Sequence, residues 1–540
     1  MKTTATLLLL LLVHFAGMAQ VPVLVKEINP TAAGVSLLEQ PTEFNGKIYF
    51  KAYDSTLGNE LYSSDGTASG TQLVKDINSG ASDGYPNSFT QMGGKLYFKA
   101  TAAGSGSELW VTDGTGANTQ MVKDIYSGSG FSSPTGLVAI ANQLFFIAND
   151  NINGAELWVS DGTTLGTQMV KDIRPGSSGS YLKGLKILNN KLYFSADNGT
   201  DGEQLWVSDG TASGTQMVRL INPSGNSYPS RLTVYNNRLY FSATDGVNGF
   251  ELWSTDGTTL GTTMVKDINA GAADGSPDYL CVHNNFLYFM AKSASNGTEL
   301  YVTDGTSLNT QLVKDIEAGA SSSTPQNLVS YNGKLYFSAF KSTLGYELWS
   351  TDGTMLGTQL VKDINTGAAN SLPQSFTVYN GLLYYVANDG SNGYQIRSYN
   401  SLTNAESIVV PPIFANNACT DAGNYSAPVV ALGSMFYPAA YQVHNVELYK
   451  LTTTPTAVNE VSAALNFSVY PNPVTQNLHI GMAETVDNAS LQIYNLQGEV
   501  VHQSSLTYEA DISLAHLASG MYLVKVTTGN LFAYQKIVKE

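Results

Sequence analysis

The chain is poor in charge, in cysteine and in arginine. Of its 540 residues only 13% are charged, 2 are cysteine and 5 are arginine. A net charge of −16 argues against nucleic acid as a partner, because phosphate contacts need a basic face. Two cysteines exclude a disulfide framework and a cysteine-rich zinc site. Beyond the extreme N-terminus no apolar run approaches the roughly 18 residues of a membrane-spanning helix, so no transmembrane span is expected.

Catalytic motifs are scarce as well. Neither HExxH nor CxxC occurs, and the Gly-Ser segments 128–130 and 176–179 are turn sequence rather than a nucleophile elbow. Five arginines are too thinly spread for a sialidase-like cluster. The 43 acidic residues leave a glycosidase open, since that chemistry needs only two suitably spaced carboxylates. We therefore predict no catalytic residue and no cofactor, and keep a carbohydrate-active hydrolase or lyase, with singleton carboxylates in a channel, as an alternative.

The first 19 residues have the features of a secretory signal peptide. Lys2 supplies the positive charge, residues 7–13 are an unbroken apolar stretch, and small residues stand at the −3 and −1 positions. We predict cleavage between Ala19 and Gln20. Secretion would place Cys281 and Cys419 in an oxidising compartment. They lie far apart in the sequence, so two buried thiols are expected, and a disulfide between them stays open.

A repeat of about 48 residues runs through most of the chain. The tripeptide Asp-Gly-Thr recurs at spacings of 47 or 48 residues, and all 5 tryptophans share one position of the repeat. Two degenerate copies follow, around residues 394–397 and 446–449, which brings the count to nine units. The tripeptide begins at Asp65, Asp113, Asp161, Asp209, Asp256, Asp304 and Asp352.

Each unit predicts four short strands. In the unit at residues 232–268 they are LTVY, RLYFSA, ELWST and TMVKDI, separated by short Asn-, Asp- and Gly-rich turns. Short connections predict an antiparallel meander, and no helical periodicity of useful length appears. Such a sheet must bury its faces against neighbouring sheets. The sequence therefore predicts an all-β fold with one large β-propeller of nine four-stranded blades, with eight as the alternative count.

The two ends of the repeat region complement each other. Residues 23–28 match the fourth strand of a unit, but no first three strands precede them, and the ninth unit has no fourth strand. We predict that the N-terminal strand completes the last blade and closes the ring, which leaves no open edge. A linear solenoid would not explain this division. The predicted organisation is a signal peptide (1–19), the propeller (20–455), a linker (456–465) and a C-terminal domain (466–540).

The repeated motif is clearest at Glu347 to Thr354, which reads ELWSTDGT. It resembles the ELWxxDGT repeat family of secreted bacterial proteins, and the resemblance covers most of the chain. The family resemblance implies secretion and a propeller-like repeat. It implies no activity and no ligand.

The C-terminal segment has a different pattern. It opens with the sequence YPNP at residues 470–473, continues with IYNLQGEVV at 493–501 and contains SGMYLVKV at 519–526. Alternating strands with Gly and Asn turns predict a small Ig-like β-sandwich. The segment resembles the type A C-terminal sorting domain of the type IX secretion system of Bacteroidota. This resemblance implies the outer-membrane secretion machinery as a partner, and an extracellular or cell-surface location reached through the periplasm.

Residues that recur in every unit are better explained by folding than by catalysis. The Asp of each Asp-Gly-Thr should accept backbone N–H groups of its own turn. The Glu of ELW and the Lys of VKD, such as Glu347 and Lys362, are predicted to pair across neighbouring strands. The oxygen-rich loops 149–154, 197–202 and 388–393 make calcium conceivable, but they lack the spacing of a calcium loop, so we expect side-chain-capped turns.

The connections between one unit and the next vary most and carry aromatic residues. They predict a candidate ligand face at one end of the propeller that could stack sugars or dock a protein. The competing interpretation is that these residues pin the loops. We predict a secreted, surface-associated binding protein for a glycan or a protein, with the hydrolase or lyase and a structural envelope component as alternatives. The predicted face consists of Tyr85, Phe131, Tyr181, Tyr228, Tyr279, Arg174 and Arg231.

Overall fold

The computed structural model describes residues 20–29, 41–410, 428–439, 447–453, 467–482, 489–495, 500–528 and 531–540. The predicted signal peptide with Ala19, the predicted linker 456–465 and Cys419 lie outside the described residues. All regular structure in the described ranges is β-strand, and no helix there is long and apolar enough to cross a membrane. The chain divides into two compact units, Pro22–Thr452 and Met1–Val21 with Thr453–Glu540.

The larger unit consists of four-stranded antiparallel sheets, nine of which can be traced in the described residues. The first strands are β2 (Thr42–Phe44), β6 (Asn87–Met92), β10 (Thr135–Ile140), β14 (Lys183–Leu188), β18 (Ser230–Tyr235), β22 (Asp278–His283), β26 (Gln326–Tyr331), β30 (Gln374–Tyr379) and β34 (Val429–Ala431). The second strands are β3 (Lys47–Asp54), β7 (Lys95–Ala102), β11 (Gln143–Asn149), β15 (Lys191–Asp197), β19 (Arg238–Thr244), β23 (Phe286–Ser293), β27 (Lys334–Lys341), β31 (Leu382–Asn388) and β35 (Ser434–Ala439).

The third strands carry the ELW motif, and the fourth strands are short. The third strands are β4 (Gly58–Ser64), β8 (Gly106–Thr112), β12 (Ala155–Ser160), β16 (Glu203–Ser208), β20 (Phe250–Thr255), β24 (Gly297–Thr303), β28 (Gly345–Thr351), β32 (Tyr394–Asn400) and β36 (Glu447–Thr453). The fourth strands are β5 (Gln72–Lys75), β9 (Gln120–Lys123), β13 (Gln168–Lys171), β17 (Gln216–Arg219), β21 (Thr263–Lys266), β25 (Gln311–Lys314), β29 (Gln359–Lys362), β33 (Ala405–Val410) and, from the N-terminus, β1 (Gln20–Lys26). The strand order of the ninth sheet is β1-β36-β35-β34.

The sequence of one unit explains its sheet. β18 and β19 are joined at Asn236 and Asn237, whose φ angles of 47° and 56° suit a tight hairpin turn. In β19 and β20, Phe241 pairs with Trp253. The second and third strands are buried on both faces. Both faces of the sheet must therefore be covered by other sheets.

The covering sheets are the neighbours in the chain. Leu205 of the fourth sheet packs with Phe241 and Trp253 of the fifth, and equivalent clusters lie between the other consecutive sheets. The first sheet also packs on the ninth, where Phe50 shares a core with Phe436. First strands contact the first strands of the neighbouring sheets, so they are innermost and the fourth strands outermost. This radial arrangement is that of a β-propeller.

The meander gives the propeller two distinct ends. The turns from first to second strand and from third to fourth strand lie at one end, which we call the turn end. The loops from second to third strand and the connections to the next sheet lie at the other, which we call the connection end. Because the first strands line the centre, each connection reaches the centre at the connection end.

The smaller unit contains the strands β37 (Phe467–Tyr470), β38 (Asn477–Met482), β39 (Ala489–Tyr494), β40 (Val500–Leu506), β41 (Glu509–Ser513), β42 (Gly520–Thr528) and β43 (Leu531–Lys539). They form two sheets, with strand orders β37-β38-β41 and β40-β39-β42-β43. Leu478 and Ile480 of one sheet share a fully buried core with Leu491, Ile493 and Val524 of the other, as in a β-sandwich.

Candidate functional site

The repeated Asp residues at the turn end are engaged by their own turns. Asp256 Oδ1 accepts the backbone N–H of Thr258 at 2.9 Å and its hydroxyl at 2.8 Å. These hydrogen bonds lower the pKa of the carboxyl. The hydroxyl of Thr262 then donates to Thr258 O at 2.7 Å. The same Asp–Thr bonds occur at Asp65, Asp113, Asp161, Asp209, Asp304 and Asp352.

The Glu of the ELW motif holds the connection that follows its own sheet. Glu347 is fully buried, and its Oε2 accepts the backbone N–H of Ile364 and the hydroxyl of Ser371, both at 2.7 Å. Burial raises the pKa of this carboxyl to about 7. Lys362 is exposed. The predicted pairing of Glu347 with Lys362 is therefore wrong, because the carboxylate is committed to a connection 17 and 24 residues further along the chain.

The repeated Lys links one sheet to the next. Lys171 Nζ donates to Thr215 O of the following sheet at 2.8 Å and stands 5.8 Å from the ring centre of Trp206. Arg219 makes the equivalent bond to Thr262 O. The same link is made by Lys26, Lys123, Lys266 and Lys314. Lys and Trp of the repeat thus stabilise contacts between sheets.

The oxygen-rich loops use their side chains to cap their own backbone. Asp389 Oδ1 accepts the N–H groups of Ser391 and Asn392 at 3.0 and 2.8 Å. Partial burial alone would raise the pKa of Asp389, but the hydrogen bonds lower it to about 2. Asp150 caps its loop in the same way. In the part of the chain that the structure describes, no group of three or more His, Cys, Asp or Glu is placed to hold a metal ion.

Three of the predicted ligand-face tyrosines occupy one position of the repeat. Tyr85, Tyr181 and Tyr228 lie on connections at the connection end and are 47%, 60% and 42% exposed. Their φ angles of 45°, 52° and 47° fall in the left-handed region. The other connections place Ser133, Ser276, Thr324 and Leu372 at this position, with the same backbone conformation.

Each of these tyrosine rings has a cation beside it. Lys51 Nζ lies 5.6 Å from the ring centre of Tyr85, Arg174 Cζ lies 5.3 Å from that of Tyr181, and Lys183 Nζ lies 5.8 Å from that of Tyr228. At this distance a cation is attracted to the face of a ring. The contacts hold the rings in place while a large part of each stays exposed.

Tyr279 was predicted to lie on a connection, with Arg231 near one. Both residues belong to the first strands β22 and β18, at the bulge where the register shifts. Their φ angles are 51° and 60°. Arg231 Nε bonds Asp278 Oδ1 of the next sheet at 2.9 Å, and the Tyr279 hydroxyl lies 3.4 Å from Gln326 Oε1. Both therefore line the inner edge of the connection end.

Phe131 and Cys281 stand apart from this group. Phe131 is 57% exposed and lies on its connection two residues before the tyrosine position. Cys281 is a free, partly buried thiol in β22, and burial raises its pKa.

Two acidic residues of the site were missed in the sequence. Lys183 Nζ bonds Glu203 Oε1 at 2.7 Å, and Arg231 bonds Asp278. Glu203 could have been recognised in the sequence, because this unit reads EQLW where other units read ELW, which leaves one Glu outside the motif position. Gln204 takes the structural place of the motif Glu and accepts the N–H of Ile221 at 3.0 Å.

These side chains make contacts on consecutive sheets at the connection end. We call these residues together the arc. It consists of Arg174, Tyr181, Lys183, Glu203, Tyr228, Arg231, Asp278 and Tyr279.

Comparison with known proteins identifies the C-terminal segment. Residues 468–540 match the family described as "Secretion system C-terminal sorting domain". This is the type IX sorting domain, and the match supports export of the chain by that system to the cell exterior or surface. No curated protein matches the chain.

Solved structures show distant similarity. The β-propeller domain of the Trilobed protease from Pyrococcus furiosus is 12% identical, with 61% of this chain and 98% of that chain covered and a TM-score of 0.30. Oligopeptidase B from Leishmania major is 10% identical (68% and 54% covered, TM-score 0.37), and a prolyl endopeptidase is 12% identical (68% and 55%, TM-score 0.36). The chain thus spans little more than half the length of these two peptidases, and such TM-scores carry no argument about function.

Proposed function

We propose that this chain is a secreted binding protein whose ligand, a glycan or a protein, docks at the connection end on the arc and on Tyr85, which occupies the same repeat position as Tyr181 and Tyr228. It acts at the cell surface or outside the cell after export by the type IX system. The binding unit is a nine-bladed propeller closed by the N-terminal strand β1.

Closure by β1 is supported by contacts at the junction of the first and ninth sheets. Glu447 of the ninth sheet accepts the N–H groups of Ile28 and Asn29, which follow β1, at 3.2 and 3.1 Å. The motif Glu of other sheets holds the following connection in the same way. Lys450 Nζ also donates to Gly66 O of the first sheet at 2.7 Å.

The tyrosine position is the observation that carries the binding proposal. The backbone has a left-handed φ at this position, which costs a bulky residue about 1–3 kcal/mol. Four other connections hold Ser, Thr or Leu in the same conformation, so the backbone does not itself require tyrosine. Tyr85, Tyr181 and Tyr228 nevertheless hold large rings there that stay 42–60% exposed. Exposed rings on a rigid support are suited to stacking against a ligand.

The test is the joint replacement of Tyr85, Tyr181 and Tyr228 by Ala in the full chain. Binding to an array of bacterial, plant and host glycans and surface proteins should be lost. The free energy of unfolding should change by no more than about 1 kcal/mol, because the rings are exposed. Replacement by Phe should preserve most of the binding, since the stacking surface remains.

Leu372→Ala is the matched control, because Leu372 occupies the same repeat position outside the arc. It should leave binding unchanged. Loss of stability in the triple Ala variant, with binding per folded molecule intact, would show that the tyrosines only pin the connections and would refute the proposal.

A further inference from the structure

Each cation of the arc is paired with a carboxylate of the same chain, whereas an anion-binding site offers cations that are not paired. Arg174 Nη1 bonds Asp197 Oδ2 at 2.5 Å. Lys183 Nζ bonds Glu203 Oε1 at 2.7 Å, and Arg231 Nε bonds Asp278 Oδ1 at 2.9 Å. Each cation of the arc therefore has a carboxylate partner within hydrogen-bonding distance.

An anionic ligand would meet cations whose charge these carboxylates already offset. Glu203 also accepts the hydroxyl of Ser195 at 2.6 Å, and its side chain is only 8% exposed. Removing Lys183 from it would leave a buried carboxylate without its cation, which is strongly unfavourable. The net charge of −16 adds long-range repulsion of any polyanion.

The hydroxyl groups of the arc suit an uncharged ligand, because the Tyr228 hydroxyl accepts from Asn226 and can still donate, and the Tyr279 hydroxyl donates to Gln326 and can still accept. The Tyr181 ring is 60% exposed. Asn226 bridges two parts of the arc, since its Oδ1 accepts the N–H of Glu203 at 2.7 Å and its Nδ2 donates to the Tyr228 hydroxyl at 2.8 Å. Gln326 lies beside the Tyr279 hydroxyl. Aromatic faces with neighbouring amides and hydroxyls stack on sugar rings and bond their hydroxyl groups.

We infer that the ligand of the arc is an uncharged polysaccharide. This inference rests on the proposed function and narrows it. The arc selects against uronate- or sulfate-bearing chains because its own carboxylates already neutralise its cations. Recognition then depends on ring stacking and on hydrogen bonds rather than on charge.

The experiment measures binding of the full exported chain to pairs of polysaccharides that share a backbone and differ mainly in charge. The probes are dextran against dextran sulfate, hydroxyethyl- against carboxymethyl-cellulose, and methyl-esterified against de-esterified polygalacturonan, together with an array of neutral glycans. At least one neutral probe should bind about tenfold or more tightly than its charged partner. Its affinity should change less than about twofold between roughly 0.05 and 0.5 M NaCl.

Glu203→Gln is the diagnostic variant. It keeps an acceptor for Ser195 but frees the charge of Lys183, so binding of the charged probes should rise severalfold while that of the neutral probes is kept. Asp304→Asn is the matched control, because it makes the same change of net charge at the turn end. It should leave both affinities unchanged.

The outcomes separate the two proposals. Preferential, salt-sensitive binding of a charged probe that is lost in the triple tyrosine variant would overturn the inference and leave the proposed function standing. Binding to no polysaccharide of either kind, with a protein ligand found on the arc, would likewise overturn the inference alone. Binding of neutral probes that survives replacement of the three tyrosines would overturn both.

Discussion

At the residue scale, the Glu of the ELW motif is a fully buried carboxyl group that accepts several hydrogen bonds. Glu299 accepts the N–H of Ile316 at 3.1 Å and both the N–H and the hydroxyl of Ser323. In one sheet Gln204 holds the equivalent backbone groups. An uncharged acceptor therefore fits the same place, and the requirement is for hydrogen bonds rather than for charge.

This equivalence predicts different effects of two substitutions at Glu299. Glu299→Ala should lower the free energy of unfolding by about 2–4 kcal/mol, because it leaves several buried donors without an acceptor. Glu299→Gln should lower the free energy of unfolding by less than half of that amount. Urea unfolding of both variants measures the difference, and equal losses would contradict the hydrogen-bond explanation.

The same glutamates predict a dependence of stability on pH. Burial raises their pKa from 4.5 to about 7 at Glu60, Glu156, Glu251, Glu299 and Glu347. Between these values the folded chain binds more protons than the unfolded chain, so stability should fall as pH rises from about 5 to about 8. The Asp residues of the Asp-Gly-Thr turns have lowered pKa values. They therefore change the difference in bound protons between the folded and the unfolded chain only below about pH 4.

The urea midpoint at constant ionic strength, taken across that pH range, is the measurement. A variant with Gln at all five glutamate positions should lose most of the slope. A midpoint that increases with pH in the unchanged protein would show that the carboxylates are ionised in the fold throughout.

At the element scale, the strands could be predicted closely from the sequence, because a repeat shows the same turns many times. LTVY and RLYFSA became β18 and β19 with shifts of at most two residues. The bulge in the first strands was not predictable, since its position holds residues as different as Arg231, Tyr279 and Ser375. That bulge decides which side chains reach the inner edge. The hydrogen-bond partners of Glu347 could not be predicted from the sequence, because they depend on the path of the connection that follows its sheet.

The Lys of the fourth strand predicts how neighbouring sheets are held together. Lys171→Met should lower the free energy of unfolding by about 1–3 kcal/mol, because it removes a charged hydrogen bond to Thr215 O of the next sheet. Lys171→Arg should stay within about 0.5 kcal/mol, since Arg219 makes this link in the following sheet.

Thermal unfolding of the two variants measures the effect. Indistinguishable melting temperatures for Lys171→Met and the unchanged protein would mean that Trp206 packing alone carries this contact between sheets.

At the scale of the whole molecule, the ninth sheet takes its strands from both ends of the repeat region. β1 pairs with β36, which ends more than 400 residues further along the chain. The core between the first and ninth sheets contains Val25 of β1, which is 4% exposed. The unit divided between the two ends is the sequence feature that predicts the proposed closure. It could not indicate the hydrogen bonds of Glu447 to Ile28 and Asn29.

Closure by β1 predicts a large effect at one position of this strand and almost none at another. Val25→Asp should lower the free energy of unfolding by at least about 3 kcal/mol, because it puts a charge into the core between the first and ninth sheets. It should also speed hydrogen exchange in β36 and promote self-association through the exposed edge. Val23→Asp should leave all three observables nearly unchanged, since Val23 is 40% exposed. Equal behaviour of the two variants would mean that the propeller is stable without β1 and that its ring is closed by sheet packing alone.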